Sequence, residues 1–195
     1  MPFKVYRLSD LPDVIVVERA SFPDERGYFA ELFRPSELLQ LGVAFSTVQL
    51  NLSLSRKGVV RGLHFQRDPY AQAKYVAVVR GKIVDVAVDI RPGSKTFGRW
   101  AMVELSAENG KALYIPRGFA HGFQSLEDDT LVLYAVDNVY APHAEAGIRW
   151  DDPELNIPWP IKDKAVLSKK DASWPTLREA LKQGLLDSMP PGSGP

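Results

Sequence analysis

No cysteine occurs among the 195 residues, which removes disulfides, thiolate nucleophiles and thiolate metal sites together. An excess of either charge is equally absent. The 24 Lys plus Arg residues balance 24 Asp plus Glu, for a formal net charge of zero. No global basic field exists to recruit nucleic acid or an anionic membrane, although a local basic pocket for a phosphorylated small molecule stays open. No run approaches the ~18 apolar residues of a membrane span, and the opening "MPFKVYRLSD" lacks the apolar stretch of a signal peptide. These absences predict a cytoplasmic protein with neither nucleic acid nor membrane as partner. Histidine is scarce as well, with three residues in the chain.

What is present reads as strand after strand. "TVQLNLSLS", from Thr47 to Ser55, alternates strictly, with Val48, Leu50, Leu52 and Leu54 on one face and Gln49, Asn51, Ser53 and Ser55 on the other. In an ordinary antiparallel sheet the polar face would look at water; around a ligand cavity it would look inward. "KYVAVVRGKIVDVAVDI" is two β-branched runs joined at Gly81-Lys82, which predicts a short hairpin. Further runs at "RWAMVEL", "ALYIP", "HGFQSL" and "LVLYAVDNVY" are separated by turn-rich segments. The pattern predicts an all-β antiparallel sandwich, jelly roll or barrel. Helices are sparse: "PSELLQL" closes with Gly42, and "TLREALKQGLL" opens with Thr176 and Glu179 at capping-box spacing. The chain reads as a single domain over residues 1–186, followed by a Pro/Gly/Ser-rich flexible tail over 187–195.

Two of the three histidines sit in matching frames. Gly58 precedes His64 with five residues between them, and Gly110 precedes Pro116 by the same interval, opening "PRGFAH" with His121 at its end. These spacings resemble the paired motifs of the cupin superfamily, small jelly-roll barrels whose motif histidines point inward. A metal-binding cupin would carry His-x-His and a following Glu in the first motif. Here Gln66 replaces the second histidine and "RDPYAQ" holds no Glu. Two histidines fall short of the three or four protein ligands that a first-row metal needs, so no metal is expected. His64 then reads as a cavity residue free to move protons, because an imidazole ordinarily titrates near ~6.5.

The ordered blocks "FPDERGYFAE", "QLNLS", "VVRGLHFQ", "DVAVDIRPGSKTFGRW", "IPRGFAHGF", "GIRWDDPELNIPWP" and "LSKKD" run from Phe22 to the region of Leu177. Together they resemble the dTDP-4-dehydrorhamnose 3,5-epimerases, which implies a cupin-type jelly roll with short peripheral helices near the C-terminus. The resemblance implies a thymidine-diphosphate-linked 4-keto-6-deoxyhexose as substrate, inverted at carbons 3 and 5 with no metal or other cofactor. It also implies a homodimer whose N-terminal segments reach into the partner's site. On this basis His64 is the abstracting base, Asp171 its carboxylate partner, Tyr134 the proton donor on the opposite face, and Lys74 the partner of the enolate oxygen at C4. Phe22, Arg26, Glu31, Gln49, Asn51, Arg61, His121, Glu145 and Lys170 would bind substrate, with Tyr140 stacking on thymine. Taken residue by residue, Asp171 and Lys74 would pass for solvated surface charges, and Tyr134 for a core aromatic with its hydroxyl at the rim.

Three other readings compete. A mono-epimerase acting at carbon 3 or 5, or on another nucleotide sugar, would keep His64, Asp171 and Tyr134. A metal-dependent cupin oxygenase or isomerase is disfavoured by Gln66 and the missing Glu. A sugar-binding cupin without activity would have no use for both a base and an opposite-face acid.

Overall fold

The computed structural model describes residues 1–190. Strands β1 (Phe3–Leu8) and β2 (Leu11–Arg19) lead into a small hairpin, β3 (Phe22–Asp24) and β4 (Gly27–Phe29), then helix α1 (Pro35–Gln40). The middle of the chain supplies β5 (Gln49–Ser55), β6 (Val60–Gln66), β7 (Lys74–Arg80), β8 (Lys82–Asp89), β9 (Trp100–Ser106) and β10 (Lys111–Ile115). β11 (Phe119–Ser125), β12 (Thr130–Val136) and β13 (Glu145–Gly147) follow, and α2 (Lys169–Ala172) and α3 (Leu177–Lys182) close the chain. Two antiparallel sheets face each other, one ordered β1-β2-β10-β7-β12-β5 and the other β13-β6-β11-β8-β9. This is the all-β jelly-roll sandwich that the strand pattern predicted, with its short helices at the C-terminal end. No helix among the described residues is long and apolar enough to cross a membrane.

The hairpin expected at Gly81-Lys82 does not form. β7 pairs with β10 and β12 in the six-stranded sheet, whereas β8 pairs with β11 and β9 in the other. One residue separates the two strands, too few for the two-residue turn that a tight hairpin needs, so the chain turns a corner between sheets instead. Gly81 makes that corner at φ +81°, and a Cβ there would lie 2.4 Å from Thr130 Oγ1. Only glycine tolerates both conditions.

β8 reads as unbroken apolar sequence because both of its faces are covered. Val84, Val86 and Val88 pack outward beneath Ile157, Trp159, Leu177 and Leu186 of the C-terminal segment. Ile83 and Ala87 point inward among Val76, Val78, Leu113, Phe123 and Val132. The outer face of the six-stranded sheet is covered in part by α1 and its neighbours, where Leu38 and Val43 pack on Ile15, Val17 and Tyr75. Met189, inside the tail expected from residue 187 onward, is buried in the C-terminal cluster; residues 191–195 of that tail lie outside the described residues.

β5 is the exception to this coverage. Its polar residues Gln49, Asn51 and Ser53 turn into the sandwich, and Val48, Leu50, Leu52 and Leu54 are left 56–64 % exposed. The inward orientation is the one that a cavity demands.

Candidate active site

The sandwich interior is apolar at one end and polar at the other. Beyond Val76 and Val132 the inward positions become Lys74 on β7, Tyr134 on β12, Asn51 on β5, His64 on β6, His121 on β11 and Asp85 on β8. All of these but Asp85, which lies behind His121, line two adjoining lobes of about 310 and 370 Å³ that share His64, Lys74, Tyr134 and Glu145. Local backbone makes this convergence possible. Residues 61 and 64 of a regular strand would face opposite sides. A register shift in β6 pairs Arg61 with Phe123 and His64 with His121, bringing both side chains to the cavity.

His64 and Asp171 form a close pair, with Nε2 of the imidazole 2.6 Å from Oδ1 of the carboxylate. Asp171 reaches it from α2, where the Ser168 hydroxyl accepts a hydrogen bond from the Asp171 backbone N–H and caps the helix. The carboxylate also accepts the Gly62 backbone N–H at 3.1 Å and the Trp174 indole N–H at 3.2 Å. Burial pushes the Asp171 carboxyl up, but the hydrogen bonds from His64, Gly62 and Trp174 outweigh it and hold it below the usual carboxylate range. An ionised Asp171 fixes the proton on Nε2 and leaves the Nδ1 lone pair as the basic site, with a counter-charge ready for the imidazolium.

On the facing sheet, burial raises the Tyr134 phenol above its ordinary value, against a lesser opposing pull from Arg61. It therefore stays protonated at neutral pH and holds a proton to give. Lys74 is buried, and desolvation lowers its ammonium to about 8 although Asp85 and Glu145 favour the charge. His121 Nε2 lies 2.6 Å from Asp85 Oδ1. Burial, aided by Lys74 and His64, depresses His121 despite Asp85, which keeps its ring neutral. One wall thus carries an imidazole with a free lone pair, and the opposite wall a protonated phenol and a cation on neighbouring strands.

Most of the expected binding residues line the same space. Tyr140 stands half exposed at the mouth and donates its hydroxyl to Glu145 Oε2 at 3.0 Å, while Lys170 bridges the same carboxylate oxygen. Gln49 donates to Asn51 and accepts the Tyr140 backbone N–H, tying β5 to the Tyr140 loop. Arg61 donates to Ser55 Oγ and the Leu54 carbonyl, and lines the second lobe with Lys170. Gln66 is a strut. Its amide donates to the Tyr70 and Val139 carbonyls and accepts the Ala141 N–H. Among the described residues no group of three His, Cys, Asp or Glu side chains is placed to hold a metal ion.

Phe22, Arg26 and Glu31 do not line this cavity. Phe22 and Arg26 are exposed on the β3–β4 hairpin, where Arg26 pairs with Asp24, and Glu31 pairs with Arg34 just beyond it. Three contributors escaped the sequence reading, Asp85, Trp174 and Ser168, while Ser53, read only as part of its strand's polar face, lines the second lobe with a hydroxyl that has no hydrogen-bond partner. The spacing of Asp85 and His121 carried no signal, because 36 residues separate partners that only strand register brings together.

The sequence and the architecture have counterparts among known proteins. The family model described as dTDP-4-dehydrorhamnose 3,5-epimerase matches residues 9–179. The chain is 46% identical over 173 residues to the dTDP-4-dehydrorhamnose 3,5-epimerase of Methanothermobacter thermautotrophicus, covering 88% of this chain and 93% of that one. Against the Escherichia coli enzyme of the same name it is 45% identical over 179 residues, covering 91% and 97%. A Legionella pneumophila 3,5-epimerase, solved in complex with dTDP-4-keto-L-rhamnose, superposes with a TM-score of 0.91 at 38% identity, covering 98% of this chain and 100% of that one. A 3'-monoepimerase from Streptomyces bikiniensis, solved with dTDP-quinovose, gives 0.88 at 39% identity, covering 93% and 91%. By family match, identity and fold, the chain belongs to the dTDP-4-dehydrorhamnose 3,5-epimerases.

Proposed function

We propose that the protein inverts carbons 3 and 5 of a dTDP-linked 4-keto-6-deoxyhexose by proton transfer alone. The observation that carries this reading is the placement of His64, held by Asp171 from α2, on one sheet and Tyr134 on the other, with Lys74 buried in the space they share. A C–H bond beside the C4 ketone loses its proton to His64, and its electron pair moves into the carbonyl as an enolate. The Lys74 ammonium stabilises that oxygen. Tyr134 then protonates the carbon from the opposite face, and the carbonyl re-forms. The imidazolium gives its proton to solvent and the phenolate regains one, so each inversion leaves the enzyme unchanged.

Arg61 and Lys170 suit the diphosphate through charge-assisted hydrogen bonds, and Tyr140 at the mouth offers a ring for the thymine. The exposed row Val48, Leu50, Leu52 and Leu54, together with the protruding β3–β4 hairpin, supports a homodimer in which Phe22, Arg26 and Glu31 serve the partner's cavity. The enzyme is expected in the cytoplasm. The likeness to a 3'-monoepimerase keeps single inversion as the second reading. Incubation with the 4-keto sugar nucleotide in D₂O separates them: deuterium at both carbons, each inverted, is expected, whereas inversion at one carbon establishes the mono-epimerase and no exchange at either overturns both.

A further inference from the structure

Asp85 poses an electrostatic problem. It is fully buried on β8, and one carboxylate oxygen bonds the His121 ring while the other, Oδ2, has no hydrogen-bond partner among the described residues. Its cross-strand partners are Phe123 and Val103, and Ile83 and Ala87 flank it on the same face. A buried anion with an unpaired oxygen is costly unless a cation offsets it. Holding His121 would not require such a charge, since a neutral amide oxygen accepts the same N–H.

The cation that feels this charge is Lys74, which lines the second lobe beside His121, and the other anions around it are already committed. Glu145 is bridged by Lys170 and Tyr140, and Asp171 is held by His64, Gly62 and Trp174. Asp85 exceeds Glu145 as the charge favouring the Lys74 ammonium. The remaining titratable groups on the cavity walls give it no support. Arg61 and Lys170 are cations, Tyr134 and Tyr140 are phenols held above their ordinary range, and His64 and His121 are neutral or positive.

We propose that Asp85 is a positioning residue for the epimerisation, one oxygen fixing the His121 ring and the carboxylate as a whole keeping Lys74 cationic beneath the enolate. Two His–carboxylate pairs then share one cavity with different duties. His64 with Asp171 moves protons, while His121 with Asp85 stays neutral and passes its counter-charge to the lysine. The catalytic consequence rests on the role proposed for Lys74 above, but the electrostatic link can be measured without substrate.

Titration of isotope-labelled lysine side chains by NMR in the free protein reads Lys74 directly. In the parent protein its midpoint is expected at about 8. Asp85→Asn keeps an acceptor for His121 and removes the charge, so the Lys74 midpoint should fall by about one unit or more, an about threefold loss of the charged fraction at pH 7.5. The alkaline limb of kcat/KM should move down with it. A purely structural Asp85 would lower activity at every pH without moving either midpoint, and that result overturns the proposal. Should Asp85→Asn fail to fold, the parent protein still decides. The ¹³Cγ shift of Asp85 must report an ionised carboxylate across pH 6–8, and a carboxyl still protonated at pH 7 refutes the link. A Lys74 shift in a protein that inverts no sugar would preserve the link and dismiss the function.

Discussion

At the scale of single residues, the chemistry depends on which groups hold protons at neutral pH. Lys74 has a folded value of about 8 against an ordinary 10.5, so below about 8 it is charged in folded and unfolded chain alike. The cation proposed to meet the enolate is therefore present at neutral pH and lost as pH rises, and kcat/KM should decline through an apparent value near 8. Between 8 and 10.5 the unfolded chain binds the extra proton, so this group's contribution to stability rises with pH over that window while activity falls. A pH–rate profile beside a pH–stability profile checks both signs; activity constant to pH 9.5 would remove Lys74 from the mechanism. Trp174 is the second test. Trp174→Phe keeps a ring over Gly147, where the indole leaves no room for a Cβ, but deletes the N–H that helps to hold Asp171. One such bond to a charged group is worth ~1 kcal/mol or more, so kcat should fall about fivefold with KM little changed. An unaltered kcat would show that His64 and Gly62 suffice to orient Asp171. His64 stood out in the sequence because histidine is scarce and its spacing from Gly58 resembles a cupin motif. Asp85 and Trp174 did not, since an Asp in a valine run and a Trp near a helix acquire meaning only from their partners.

At the scale of elements, the strands were legible and their connections were not. Alternation identified β5 but left open which face met water. The cavity decided that, since Gln49, Asn51 and Ser53 have polar work inside. The capping box formed as read, Thr176 accepting the Glu179 N–H while Glu179 accepts the Thr176 N–H. The Gly81 junction was misread because β-branched runs flanking a glycine look alike in a hairpin and in a corner between sheets. Its geometry gives a direct test. Gly81→Ala combines φ +81° with a 2.4 Å approach to Thr130 Oγ1, so a loss of ~2–4 kcal/mol is expected, seen as a clear drop in Tm. A neutral effect would mean that the corner relaxes freely. The α2 helix, four residues long, was invisible to periodicity, yet it delivers Asp171 and Lys170 to the cavity.

At the scale of the whole molecule, the apolar face of β5 and the exposed β3–β4 hairpin, which does not line the His64 cavity of its own chain, point to a second copy. Leu50→Lys should weaken self-association, because Leu50 is 61 % exposed in the isolated chain and lies in the row proposed to be covered. Sedimentation should show more monomer, with activity falling on dilution in parallel. A dimer and an activity both unchanged would place the interface elsewhere. The most direct measurement concerns the division of labour across the sandwich. Tyr134→Phe removes the proposed opposite-face proton source and leaves His64 with Asp171 intact. In D₂O this variant should still wash deuterium into the substrate through His64, with the label returning to the face it left, so that exchange outlasts inversion at carbons 3 and 5. A Tyr134→Phe variant that inverts as efficiently as it exchanges would contradict the assignment of acid and base to opposite walls of the cavity.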